Sequence, residues 1–169
     1  VIGTLSHQLS TQNRPSIVVS GDKDLTQLVN EQVTMLDTMK ELHYDVALVQ
    51  EKFGVPPHRI IDYLALVGDS ADNIPGVPKV GPKTAVKWLG LYDGVEEVIA
   101  HAEEIKGKVG ENLRNNIELL RLSYVLATVK LDVELDFTME EMVQAEPDKT
   151  LLADYYKRYE FKTWLQELS

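Results

Sequence analysis

Gly76-Val77-Pro78-Lys79-Val80-Gly81-Pro82-Lys83-Thr84-Ala85 joins two apolar helical segments through a turn built from glycine and proline. Pro82 follows Gly81 at the place of a first helical residue, where its missing N–H costs nothing, and the next backbone amides point at whatever lies before the helix. An anion is the natural ligand, and a nucleic-acid phosphate fits. Lys79, Lys83 and Lys87 add positive charge with no carboxylate between Asn73 and Tyr92, and the glycines allow close backbone approach. Taken alone, the pattern is equally an ordinary corner between two helices.

Working upstream, Gly68-Asp69-Ser70-Ala71-Asp72-Asn73 closes an apolar run that starts at Pro57 and carries Ile60, Ile61, Leu64, Ala65 and Val67 along one side. Asp69 and Asp72 then flank a helix C-terminus, the wrong end of the macrodipole for an acid unless a cation compensates. The plainer reading is a turn in which Asp, Ser and Asn bond their own backbone. Further upstream, Ser16-Ile17-Val18-Val19-Ser20-Gly21-Asp22-Lys23-Asp24 reads as an apolar strand, buried on both faces, that ends in two acids. Ligands of open α/β sheets bind beyond the carboxyl ends of strands, and a spacing of two puts Asp22 and Asp24 on one side of an extended backbone. Alternatively Asp24 caps a helix from Leu25 to Val29 and Asp22 is solvated. Together, two acidic pairs and an anion-binding hairpin are the parts of metal-assisted phosphodiester chemistry. Mg²⁺ is held by a few carboxylates plus substrate phosphates, so four acids suffice for one ion and hardly for two.

Gly-Asp-Lys-Asp at 21–24, Phe53-Gly54-Val55-Pro56-Pro57, Gly-Asp-Ser-Ala-Asp-Asn-Ile-Pro-Gly-Val at 68–77 and Gly-Pro-Lys-Thr-Ala at 81–85 resemble, in order and spacing, the 5′-nuclease domain of bacterial DNA polymerase I. The resemblance continues through Leu122 to Thr128 and Asp132 to Leu135 and reaches Tyr159-Glu160-Phe161-Lys162. It implies a structure-specific 5′→3′ exonuclease and flap endonuclease that acts with Mg²⁺ or Mn²⁺ in primer removal and DNA repair. Asp22, Asp24, Asp69 and Asp72 become metal-binding and catalytic acids. Gly76, Val77, Lys79, Val80, Gly81, Lys83 and Thr84 become a DNA-binding helix-hairpin-helix, with K⁺ bridging its carbonyls and a phosphate. The implied partner is duplex DNA with a 5′ flap, a nick or a free 5′ end, and a polymerase module is expected C-terminally in the parent chain. The implied fold is α/β: the end of a Rossmann-like sheet (residues 1–42), then a mostly helical region (43–169) with the hairpin motif at about 57–90.

Two features depart from the family pattern. Lys79 stands where a glycine is usual, so a side chain must be accommodated in the tight turn. Val1-Ile2-Gly3-Thr4-Leu5 enters a helix with no capping residue before it, and the first strands, further metal ligands and the arch over the 5′ end are missing. The expectation is a C-terminal part of the nuclease domain, catalytically incomplete by itself. The alternative function is therefore a non-catalytic remnant that grips duplex DNA through the hairpin. A rival reading, an aspartate-nucleophile phosphatase, matches Asp22-Lys23-Asp24-Leu25-Thr26, but its acidic motifs lie too close together for a doubly wound core and leave the basic hairpin without purpose.

The chain has 169 residues, 44 % of them apolar, enough for one domain with a real core. Zero cysteines exclude disulfides and zinc–thiolate sites, and no signal-peptide pattern is present, so a bacterial cytoplasmic, nucleoid-associated setting is expected. A net charge of −10 argues against nucleic acid, yet the acids gather at the metal cluster and from Asp132 to Glu167, leaving the hairpin locally basic. Periodicity predicts a longest helix from about Asn112 to Thr128 with Leu113, Ile117, Leu120 and Tyr124 on its buried face. It also predicts a capping box at Thr138 and Glu141, and a final helix opened by Asp148 with Leu151, Leu152, Tyr155 and Tyr159 in a core.

Overall fold

The computed structural model describes residues 1–168, and the chain divides after Glu134 into two compact units. In the first unit, helix α1 (Ile2–Thr11) leads into strand β1 (Ser16–Val19), a 3₁₀ helix (Lys23–Leu28), β2 (Val33–Asp37) and β3 (Leu42–Tyr44). The sheet order is β1-β2-β3, with β1 parallel to β2 and β2 antiparallel to β3. Val18, Val33 and Met35 from these strands enter a core with Val49, Ile60 and Leu64. The expectation that β1 is buried on both faces fails: Ile17 and Val19 are 61 % and 63 % exposed, because alternate side chains point to opposite faces and only the Val18 face is packed.

Helix α2 (Val46–Phe53) starts where the Asp45 carboxylate accepts from Leu48 N at 2.7 Å and stops at Gly54, in the left-handed conformation at φ 75°. A 3₁₀ turn (Pro57–Arg59) opens α3 (Ile60–Val67), and α4 (Pro82–Leu89), α5 (Val95–Ala100), α6 (Gly107–Asn115) and α7 (Ile117–Ala127) follow. Helix α3 is the shared wall of the unit. Its Ile60 and Leu64 face the sheet-side core, whereas Ala65 and Leu66 join Val77, Val80, Trp88, Leu113 and Leu120 in a second core. The long helix expected from Asn112 to Thr128 is two helices broken at Asn116, whose backbone leaves helical angles (φ −131°, ψ 27°) while its side chain donates to Asn112 O at 2.7 Å. Asparagine competes for backbone groups in this way, which a periodic apolar stripe cannot reveal. Leu113 and Leu120 are buried as expected, but Tyr124 is exposed and Ser123 takes the inward position.

The second unit holds the capping box at Thr138 and Glu141, on a 3₁₀ turn (Met139–Glu141), and α8 (Lys149–Arg158), capped by Asp148, which accepts from Leu151 N at 2.9 Å. Helix α8 is not the last, since α9 (Lys162–Leu168) follows it. No residue of these elements is buried, so the core expected from Leu151, Leu152, Tyr155 and Tyr159 does not form. Two short helices with eight or so apolar side chains have too little interior to enclose any of them.

Candidate metal centre and anion-binding hairpin

Asp22 ends the extended chain after β1 and caps the 3₁₀ helix, its Oδ1 accepting from Asp24 N at 3.0 Å. Gly68 stops α3 at φ 77°, and Asp69 then pairs with Ile74 through reciprocal backbone bonds of 2.8 and 2.7 Å, closing a short loop. Within that loop Asp69 Oδ1 accepts from Ala71 N at 2.8 Å. Asp69 therefore builds the turn through Oδ1, as the plain turn reading has it, while its Oδ2 pairs with Lys23 Nζ.

Asp24, Asp69 and Asp72 each place an oxygen within 4.8 Å of the others. Asp69 is buried, Asp24 half-buried and Asp72 exposed, so the group opens to solvent on one side. Asp22 lies outside this trio and serves as the cap, a reversal of the alternative in which Asp24 capped and Asp22 was solvated. Burial first, and then the charges of Asp22 and Asp72, push the Asp24 carboxyl up to about 6 against the opposing pull of Lys23. Asp24 Oδ1 is enclosed without a hydrogen-bond partner among the described residues. Lys23 bridges Asp69 through its ammonium, which holds the Asp69 carboxyl below the usual range and raises the lysine in return. An unpartnered enclosed oxygen among converging carboxylates fits a hard, oxygen-seeking cation, so Asp24, Asp69 and Asp72 are a donor set that could bind a metal.

The hairpin abuts this site. A Cβ on Gly76, at φ 64°, would strike the backbone of Val67 and Gly68, so glycine is required both by conformation and by space. The turn itself runs from Val77 to Val80, with Val80 N donating to Val77 O at 3.0 Å, Pro78 at the second position and Lys79 at the third with φ 66°. Proline followed by positive φ is the pattern of a type II turn, and Lys79 adopts the angle that the family's glycine would take. Gly76 N donates to Ser123 Oγ at 3.1 Å, Val77 N to Leu66 O at 2.9 Å, and Asn112 Nδ2 to Pro78 O at 2.7 Å. Ser123 and Asn112 are the positioning residues that sequence reading missed; the polar Ser123 within the apolar run of α7 was the available signal.

Of the seven hairpin positions, Gly76, Val77 and Val80 are buried with their amides engaged inside the protein. Lys79 and Lys83 are exposed, and neither they nor Lys87 pair with a carboxylate among the described residues. Gly81 begins α4 without a side-chain cap, and its carbonyl accepts from Thr84 N and Ala85 N at 3.0 Å each. A Cβ on Gly81 would meet nothing within 4 Å, so the approach to this helix start is open. By contrast Arg114 is spent on the carbonyls of Ala102 and Ile105, and Arg121 on Glu96, so neither extends a free basic track.

A family model described as "5'-3' exonuclease, N-terminal resolvase-like domain" matches residues 1–54, and one described as "5'-3' exonuclease, C-terminal SAM fold" matches residues 55–150. The chain belongs to the 5′-3′ exonuclease family. Similar curated proteins include DNA polymerase I of Pseudomonas aeruginosa, 45 % identical over 99 % of this chain and 19 % of that protein. The 5'-3' exonuclease of Buchnera aphidicola subsp. Acyrthosiphon pisum is 38 % identical over 85 % of this chain and 52 % of the relative. The chain thus spans about a fifth of the former and half of the latter. Among solved structures, bacteriophage T5 5'-exonuclease with bound zinc shares the fold at a TM-score of 0.67 and 22 % identity, over 74 % of this chain and 48 % of that one. A T5 flap endonuclease in a pseudo-enzyme-product complex with DNA and metal ions aligns at 0.69 and 22 %, over 75 % and 47 %. The α/β fold with a small sheet and many helices is that of these nucleases, and membership of this family removes the phosphatase reading.

Proposed function

We propose that this chain carries part of a structure-specific, metal-dependent 5′→3′ exonuclease and flap endonuclease that hydrolyses DNA phosphodiester bonds in primer removal and repair. The observation that carries this reading is the meeting of Asp24, Asp69 and Asp72 beyond the carboxyl end of β1, next to a hairpin whose exposed lysines have no acidic partner among the described residues. Mg²⁺ or Mn²⁺ bound there supplies Lewis acidity toward a phosphoryl oxygen. Asp69 and Asp24 hold the inner side of the site, Asp72 its open side, and Asp22 fixes the backbone that aims Asp24.

At the hairpin, the open start of α4 and the side chains of Lys79, Lys83 and Thr84 take the phosphate backbone of a duplex with a 5′ flap, nick or free 5′ end. Such contacts set position without reading sequence. K⁺ at the hairpin carbonyls belongs to the same proposal, since a carbonyl that accepts one bond keeps a second lone pair. The polymerase I relatives support a polymerase module in the parent chain and a cytoplasmic setting. Among the described residues no helix is long and apolar enough to cross a membrane.

The test is cleavage of a 5′-labelled flap duplex with Mg²⁺ by this chain and by its Asp22→Asn and Asp69→Asn variants. Short labelled products from the unaltered chain, lost in Asp69→Asn, support the reading. The second reading, a DNA-gripping part without its own chemistry, is favoured by the convergence of only three carboxylates among the described residues. Duplex binding without any cleavage would select it.

A further inference from the structure

Lys23 stands between the two acids of the Gly-Asp-Lys-Asp motif and is the cation nearest the metal donors. Its backbone is held by the Asp22 cap, and Lys23 O accepts from Thr26 Oγ1 at 2.5 Å, so the start of the side chain is fixed. Its far end is not: the side chain is 51 % exposed, against 5 % for Asp69, whose Oδ2 it bridges. The pair is therefore one-sided. Lysine can swing into water, while Asp69 is locked by its bond to Ala71 N and by the loop closure to Ile74. Oδ1 of Asp69 already accepts from Ala71 N and Lys23 covers Oδ2, so the ammonium holds an oxygen for which a metal bound to this carboxylate would compete.

Building on the metal-site reading above, we propose that Lys23 is an exchangeable counter-ion of the acidic cluster. Its ammonium covers Asp69 Oδ2 in the metal-free protein and is displaced when a divalent cation binds Asp24, Asp69 and Asp72, so Lys23 sets the metal affinity of the site. One ammonium against three carboxylates leaves the cluster net negative, and it leaves Asp24 Oδ1 unsatisfied. A divalent ion relieves both, and its repulsion drives the ammonium outward. Released into solvent on the open side, Lys23 then faces the place where a substrate phosphate approaches. Divalent affinity is thereby lowered when no phosphate is present to receive the lysine.

Calorimetric Mg²⁺ titration of the full chain decides the matter, with Lys23→Met, Lys23→Arg and, as a control, Lys40→Met, which breaks the comparable pair to buried Asp37. Lys23→Met is expected to lower the dissociation constant about five-fold, the size of one half-exposed ion pair, with Lys23→Arg within about two-fold of the unaltered chain. Lys23→Met should also melt lower than the unaltered chain in EDTA and lose that deficit in saturating Mg²⁺. A dissociation constant unchanged or raised in Lys23→Met, or lowered equally in Lys40→Met, overturns the inference while the metal reading stands. No binding by either the unaltered chain or Lys23→Met overturns both. If Lys23→Met does not fold without metal, Lys23→Gln, which keeps a donor for Asp69 without the charge, gives the same comparison.

Discussion

In the hairpin, the turn from Val77 to Val80 and the start of α4 at Gly81 are built from bonds spanning three or four residues, with Pro78 and Pro82 setting the angles. In the acidic cluster next to it, Asp24 and Asp69 come from the end of the sheet and the end of α3, and nothing in the chain between them fixes their separation. The bonds that shape the turn are local, whereas the cluster depends on contacts between distant parts of the first unit. The two also differ in electrostatic sign and in strain. The hairpin places unpaired ammonium groups in water at little cost, whereas the cluster forces carboxylates together and leaves one enclosed oxygen unpartnered. Such a cluster gives up stability that a cation bound there would restore.

The largest expected effect comes from the residue that joins the two regions. Gly76→Ala puts a Cβ onto the backbone of Gly68 at a positive φ and should cost about 3 kcal/mol or more in denaturant unfolding, against roughly 1 kcal/mol for left-handed backbone strain alone. A loss below about 1 kcal/mol would show that hairpin and cluster are separable. Next in size, Mg²⁺ at a hundred times its dissociation constant should stabilise the chain by about 2.7 kcal/mol, and Asp69→Asn should abolish most of that gain in a thermal melt. An unchanged melting temperature in the unaltered chain would mean that the three carboxylates do not act as one site.

The titration of Asp24 gives the third test. Its folded-state value of about 6 lies above its unfolded value of 3.8, so the folded metal-free protein binds the proton more tightly, and stability falls as pH rises between those values. A cation needs the ionised form. Mg²⁺ affinity should therefore climb by up to about ten-fold per pH unit below 6 and flatten above it, as read by calorimetry. Affinity independent of pH from 5 to 7 would remove Asp24 from the donor set.

On the hairpin side, Lys83→Ala should weaken duplex binding uniformly across sequences and reduce the logarithmic salt slope by about 0.9, measured by fluorescence anisotropy. The smallest effect is expected at Lys79. Lys79→Gly relieves the positive φ and should stabilise the fold by about 0.5 kcal/mol, the strain relief being partly offset by the freer unfolded chain, while it weakens DNA binding through loss of the charge. Stabilisation combined with weaker binding would separate shape from charge in the turn.

The sequence alone carried local features such as the cap at Asp148 and the capping box at Thr138 and Glu141, and with the family pattern it marked the unusual backbone angle at Lys79. Each depends on a few neighbouring residues, and residue type there reports φ or a hydrogen bond directly. The acids of the site were legible as types and spacings, but which of them converge was not. Asp22 and Asp24 are interchangeable on paper, and only the 3₁₀ turn assigns the cap to one and the cluster to the other. Tertiary structure also decided the use of Ser123 and Asn112 to hold the hairpin, the bare face of β1 and the absence of buried side chains among the described residues after Glu134. These outcomes depend on which surfaces meet across the chain, and burial is a property of that meeting that an apolar period cannot state.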